Sequence, residues 1–132
     1  MRGLRVLELG CGLGLPSLAA ARGGADVLAT DWAEAAVELL RANAERNGIA
    51  LRAERVRWDE PERLLARAPW DLVLGADLLY ESRNAEQLRV LLPRLGAREI
   101  LLAEPGRPQA RSFLAAFDAE ELGDRVYRLE TG

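Results

Sequence analysis

Short apolar runs alternate along the chain with polar stretches of helical spacing. Leu4 to Leu9, Leu-Arg-Val-Leu-Glu-Leu, reads as a short buried strand. Glycines follow at 10, 12 and 14, and Pro16 suits the first turn of a helix, where its missing N–H costs nothing. That helix is expected to stop at Gly23-Gly24. Ala25 to Thr30 reads as a second strand, ended by Asp31. A longer helix over roughly 33–46 places Val37, Leu40 and Ala44 on one face, and Asn47-Gly48 is its stop signal. The third strand is expected within Ile49 to Arg57, with Leu51, Ala53 and Val56 inward. A short helix from Pro61 to Arg67 comes next. Trp70 to Gly75 reads as the fourth strand, about 84–95 as a helix distorted near its end by Pro93, and Glu99 to Glu104 as the fifth strand. Gln109 to Phe117 reads as the last helix and Arg125 to Leu129 as the last strand.

This alternation predicts an α/β fold: a doubly wound, mostly parallel sheet of about six strands with helices on both faces. Residues 1–132 are expected to form one domain, with neither repeat nor linker. In such sheets ligands bind beyond the carboxyl ends of the strands, near the point where strand order reverses.

Composition narrows the chemistry. All 18 basic residues are Arg, and the net charge is −3 with no basic block. That argues against a binder of nucleic acid built on phosphate neutralisation. Cys11 is the single cysteine and there is no His, so neither an intrachain disulfide nor a Cys/His metal site is expected. No stretch resembles a signal peptide or a membrane span, which places the expected location in the cytoplasm.

Four motifs carry candidate chemistry. In Glu8-Leu9-Gly10-Cys11-Gly12-Leu13-Gly14 the glycines let the backbone turn sharply and approach a ligand. A dinucleotide fingerprint, G-x-G-x-x-G, would need its third glycine at position 15, which is Leu15. An acid just ahead of the turn is awkward beside a pyrophosphate but suits a ligand carrying an ammonium and a sulfonium. The plainer reading is a tight strand-to-helix turn. Asp31 lies 21 residues after Gly10, where a carboxylate can accept both ribose hydroxyls; capping the next helix would account for it as well. Trp58-Asp59 offers an aromatic face for adenine and an acceptor for its amine, or else a core Trp and a helix cap. Ala76-Asp77-Leu78-Leu79-Tyr80, at the end of the fourth strand, places a carboxylate and a phenol where a transferred group would meet its acceptor. Its alternative is a capping Asp and a half-buried Tyr.

Val6-Leu7-Glu8-Leu9-Gly10-Cys11-Gly12-Leu13-Gly14-Leu15-Pro16-Ser17 resembles the first motif of class I, seven-strand, Rossmann-like methyltransferases. Asp77-Leu78-Leu79-Tyr80 resembles the D-x-x-Y motif of methyltransferase family 16, which includes protein-lysine methyltransferases. The resemblance runs from Val6 to about Phe117. It implies S-adenosyl-L-methionine as cofactor and S-adenosyl-L-homocysteine as product. It implies that Glu8, Gly10, Gly12 and Gly14, with Cys11 and Leu13 between them, line the methionine part of the cofactor. Asp31, with Trp32 beside it, would serve the ribose, Trp58 and Asp59 the adenine, and Ala76 would touch the cofactor by its backbone. Asp77 and Tyr80 would be the catalytic pair at the acceptor. Glu104-Pro105-Gly106-Arg107-Pro108 is similar to a loop of bacterial members and has no role assigned by the resemblance. Two departures stand out: the first strand begins almost at Met1, and 118–124 leaves no room for a seventh strand, so a trimmed core is expected.

The implied activity is direct, in-line methyl transfer to a nucleophile, a nitrogen of a protein side chain or a small amine. Proximity and alignment would be the main contribution. Rival readings are a cofactor-binding or partner-binding module without catalysis, a nucleic-acid methyltransferase and a nicotinamide dehydrogenase. Adenine-N6 enzymes favour Pro-Pro where this chain has Leu78-Leu79, and Leu15 disfavours the dehydrogenase.

Overall fold

A computed structural model describes residues 1–131. The strands are β1 (Arg5–Leu9), β2 (Asp26–Asp31), β3 (Arg52–Arg55), β4 (Leu72–Ala76), β5 (Glu99–Ala103), β6 (Glu120–Gly123) and β7 (Val126–Leu129). The helices are α1 (Leu15–Arg22), α2 (Glu34–Arg46), α3 (Glu62–Ala66), α4 (Ser82–Leu91) and α5 (Ala110–Ala116), with a 3-10 turn at Leu92–Arg94 after α4. One sheet runs in the order β3-β2-β1-β4-β5-β7-β6. β3, β2, β1, β4 and β5 pair in parallel, whereas β7 is antiparallel to both β5 and β6.

The apolar runs became the middle of this sheet because a parallel strand is covered on both faces and cannot alternate with solvent-facing residues. Successive residues of β1 accordingly join different cores. Val6 packs with Val27, Leu72 and Ala20 of α1. Leu7 and Leu9 pack with Val73, Leu64 of α3, Leu88 and Leu91 of α4, and Phe113 of α5. A third cluster joins Cys11, Ala29 and Ala53 to Val37 and Leu40 of α2. Helices α1 and α2 therefore cover one face and α3, α4 and α5 the other, the doubly wound arrangement.

The expected count of six strands is corrected to seven. Residues 118–124 do hold a further strand, β6, because the β6–β7 connection is a tight turn. Gly123, Asp124 and Arg125 all take positive φ, at 117°, 50° and 61°. All four β6 residues, Glu-Glu-Leu-Gly, are exposed, so no buried face imposes the period-two pattern by which strands are read. The third strand is shorter than its apolar neighbourhood suggested, and Val56 continues the pairing by donating its N–H to the Asp31 carbonyl at 3.0 Å. Pro16 lies at the start of α1, and Pro93 falls in the 3-10 turn that ends α4.

Strand order reverses between β1 and β4. From β1 the chain winds outward through β2 and β3, then returns to the other side of β1 as β4 and continues to β5. The carboxyl ends of β1 and β4 thus diverge at a crevice, with the glycine turn on one lip and Asp77 to Tyr80 on the other. No helix among the described residues is long and apolar enough to cross a membrane.

Candidate active site

The glycine turn leaves β1 with positive φ at Gly10, Gly12 and Gly14, at 58°, 49° and 74°. The requirement is strongest at Gly14, the residue before α1. A Cβ there would lie 2.4 Å from Cδ1 of Leu40, so the turn packs directly on α2. Cys11 is buried in the turn, and its N–H donates to the Thr30 carbonyl of β2 at 2.8 Å. Leu13 is exposed.

Two acids lie beneath this turn. Glu8, in β1, is 2% exposed and accepts a hydrogen bond from Oγ of Ser17 in α1 at 2.6 Å. Burial, opposed by the Ser17 bonds and assisted by the nearby Asp31 charge, pushes its carboxyl up to about 7. Asp31, at the end of β2, is 8% exposed. Its Oδ2 accepts the Gly12 N–H at 3.0 Å, and its Oδ1 accepts the Ala33 N–H at 2.9 Å. The acid therefore ties the glycine turn to the segment entering α2. It acts from two residues before the N-cap, Ala33, rather than as the N-cap itself. Burial, then the Asp31 and Glu8 charges, pushes the Cys11 thiol up to about 12.

Beside the turn opens a cleft of about 410 Å³ whose walls include Gly10, Trp32, Trp58, Asp59 and Tyr80. Such a volume falls in the usual range of small-molecule sites, about 300–1,000 Å³. Trp32 is 64% exposed, Trp58 is half-buried and Tyr80 is 47% exposed, so aromatic surface faces the cleft from the β2–α2, β3–α3 and β4–α4 loops. Asp59 lines it too, but both its oxygens are engaged by the Arg57 guanidinium, at 3.1 and 2.7 Å.

At the end of β4, Ala76 is exposed and Asp77 adopts a φ of 50°, a region non-glycine residues seldom enter. The Asp77 N–H donates to the Ala103 carbonyl of β5 at 2.8 Å. Its carboxylate takes both arms of the Arg107 guanidinium, at 2.9 and 2.7 Å. The Arg107 hydrogen bond, aided by its charge, holds the Asp77 carboxyl below the ordinary carboxylate range. Leu78 and Leu79 are buried and anchor the segment, while Tyr80 emerges into the cleft. The Leu79 carbonyl accepts a hydrogen bond from the side-chain amide of Gln109.

Every candidate residue thus lies in the β1–β2 turn region, the aromatic cleft or the β4 terminus. Glu8, Cys11 and Asp31 lie beneath the surface of the turn. Asp77 stands next to the cleft rather than among its walls. Sequence reasoning missed Arg107, Ser17, and Arg55 and Arg83 of the cleft rim. For Ser17 a signal existed: it follows Pro16 in the first turn of α1, directly above Glu8.

A sheet wound outward from a crossover, closed by an antiparallel β6–β7 pair and carrying a glycine turn tied to a buried acid, defines the class of Rossmann-like methyltransferase folds. The chain superposes on the magnesium protoporphyrin IX methyltransferase of Synechocystis with a TM-score of 0.69, covering 96% of this chain and 68% of that one. At 22% identity this likeness shows the fold alone. Residues 1–119 match the model of the family described as lysine methyltransferase, methyltransferase family 16, and the chain belongs to that family. It is 36% identical over 118 residues to the electron transfer flavoprotein beta subunit lysine methyltransferase of Xenopus laevis, covering 85% of this chain and 46% of that protein. It is 35% identical over 107 residues to the protein N-lysine methyltransferase METTL21A of Danio rerio, covering 77% and 49%. The chain spans about half the length of these relatives.

Proposed function

We propose that this chain binds S-adenosyl-L-methionine in the crevice between β1 and β4 and catalyses methyl transfer to a protein lysine. The observation that carries the reading is the bond from the Gly12 N–H to Asp31, which brings glycine turn and nucleoside acid into one site. Family membership and relatives named as lysine methyltransferases support the substrate class.

The residues fit such a cofactor. Glu8 is a buried carboxylate that pays a desolvation cost when ionised, and a cationic ligand nearby would relieve it. Asp31 would accept the ribose hydroxyls with lone pairs left over from its two backbone bonds. Gly10, Cys11, Gly12, Leu13 and Gly14 would border the methionine part, with Ala76 opposite. Trp58 would present its face to the adenine, with Trp32 and Asp59 at the same rim. The cofactor supplies an electrophilic methyl group when bound.

The chain's own work is positioning. Asp77 is kept ionised by Arg107 and can orient an acceptor amine by accepting its N–H. Because the guanidinium already balances the charge of Asp77, the pair orients the amine without strongly favouring its protonated, non-nucleophilic form. Tyr80, projecting into the cleft, shapes the approach of the lysine stem. Alignment of this kind is worth several kcal/mol.

The test is two-part. Titration calorimetry should show S-adenosylmethionine binding while NAD does not; NAD binding at least as tight would overturn the cofactor reading. Incubation with lysate proteins and methyl-radiolabelled cofactor should label lysine, and Asp77→Asn should lower the single-turnover rate about ten-fold or more, about 1.4 kcal/mol. Equal rates for the two proteins would leave Asp77 a structural residue.

A further inference from the structure

The loop after β5 enters the reading above only through Arg107, yet it holds the only polar side-chain atom among the described residues that is buried without a hydrogen-bond partner: Oε2 of Glu104. Glu104 is 3% exposed and directly follows β5. Its other oxygen, Oε1, accepts two backbone hydrogen bonds, from the Gly106 N–H at 2.9 Å and the Arg107 N–H at 2.8 Å. The same loop is tied to Arg125 of the β6–β7 turn by two further bonds. The Glu104 N–H donates to the Arg125 carbonyl at 2.9 Å, and Nη1 of Arg125 donates to the Pro105 carbonyl at 2.7 Å. Gly106 sits at a φ of 109°, open only to glycine without strain.

The product of this folding is the position of one side chain. Arg107 leaves the loop aimed back across the end of β5 and grips both oxygens of Asp77, 30 residues earlier in the chain. Asp77 needs such a grip. Its left-handed backbone is a region non-glycine residues seldom enter, and its own N–H bond to Ala103 fixes the main chain but not χ1 or χ2. A turn alone does not call for a buried carboxylate with an unspent oxygen, whose burial opposes folding. The Arg107 guanidinium is governed chiefly by its bond to Asp77 and the Asp77 charge, and Glu104 adds to them in the same direction while bonding the Arg107 N–H.

We infer that Glu104 and Arg107 are positioning residues for the methyl-transfer site, a buried acid setting the loop and the loop setting the guanidinium that orients Asp77. The inference rests on the reading of Asp77 as the group that receives the acceptor amine, and it adds Glu104, outside the cleft walls, to the Asp77–Arg107 pair. Glu104 acts only through Arg107, and Arg107 only through Asp77.

The carboxyl titration of Asp77, followed by carbon-13 NMR in the full chain, tests the relay without any methyl acceptor. The charged groups that face this carboxylate and its loop are Arg107, Glu104 and Arg125, so single replacements resolve their effects. Arg107→Gln should move the Asp77 midpoint upward, because the guanidinium that holds it low is gone. Glu104→Ala should also move it upward although Glu104 does not bond Asp77. Glu104→Gln, whose amide oxygen can accept the same two N–H bonds, should stay nearer the original midpoint than Glu104→Ala. An unchanged midpoint in folded Glu104→Ala overturns the relay. Should Glu104→Ala fail to fold, Gly106→Ala decides. No atom lies within 4 Å of the added Cβ, so only the loop backbone is strained; an upward shift supports the relay and an unchanged midpoint overturns it. Methyl-transfer rates separate this from the underlying reading: if Asp77→Asn transfers methyl at the full rate while the titration responds as expected, the acceptor role fails and the relay stands.

Discussion

Glu8 offers a prediction whose sign and size both follow from its surroundings. Folding moves its carboxyl from 4.5 to about 7, chiefly because the side chain is taken out of water. At about 1.4 kcal/mol per unit, that shift corresponds to about 3 kcal/mol. The folded protein holds this proton more tightly than the unfolded chain. The contribution to stability is therefore fully present below about pH 4.5, and it is lost as pH rises through about 7. Glu8→Gln keeps the shape and leaves an oxygen to accept the Ser17 hydroxyl, but carries no proton equilibrium. Urea unfolding of both proteins without cofactor, across a pH series, isolates the effect, since groups not coupled to Glu8 cancel in the difference. The variant should gain on the original protein by about 3 kcal/mol between about pH 4 and pH 9. A stability difference that does not change with pH would refute the argument. Cofactor binding should reverse the preference. A cationic ligand near Glu8 expels its proton, so binding enthalpies near pH 6.5 should vary with the ionisation heat of the buffer, and should cease to vary in Glu8→Gln.

Three further outcomes are expected. Asp31→Ala should weaken S-adenosylmethionine binding by about 1.5–3 kcal/mol, the range for bonds to a charged group, measured by calorimetry; unaltered affinity would reduce Asp31 to a tie between the turn and α2. Gly14→Ala should destabilise the fold by about 2 kcal/mol or more, since it combines a left-handed φ with a Cβ 2.4 Å from Leu40; an unchanged melting temperature would contradict the packing of turn on helix. Cys11, buried and with its thiol raised to about 12, should resist alkylation at neutral pH in the folded protein and react on unfolding; rapid labelling of native protein would show the turn to be open.

The parts of the fold legible in the sequence are those whose residues answer to a single environment. β1 and β4 lie between two helical layers, so β4 is apolar throughout and β1 carries Val6, Leu7 and Leu9, and the runs announce themselves. Pro16, Pro93 and the Gly23-Gly24 pair act through their own backbone chemistry and were placed without any knowledge of neighbours. β6 escaped because all its side chains face solvent. The glycine turn and Asp31 were legible as a pair because their spacing is set by one β-α-β passage. What was not legible is contact across the sheet's carboxyl edge. The grip of Arg107 on Asp77 depends on a loop geometry created by Glu104, Gly106 and Arg125, and no local pattern encodes it. Asp59 shows the same limit in reverse, since its neighbour Arg57, only two residues away, claims both its oxygens.

The two outermost strands have a consequence for how the molecule behaves in a crowd. An edge strand offers unpaired N–H and C=O groups to any passing strand, the route to sheet-to-sheet aggregation. Here β3, Arg-Ala-Glu-Arg, exposes its two arginines while Ala53 stays buried, and β6, Glu-Glu-Leu-Gly, is exposed throughout, one edge mixed in charge and the other acidic. The β6–β7 register also slips between Glu121 and Gly123, a bulge that bends the exposed margin away from flatness. A second copy of β6 would bring glutamates against glutamates on a kinked line. The strand hidden from sequence patterning by its solvent-facing side chains is thus well suited, for the same reason, to keep the sheet from growing.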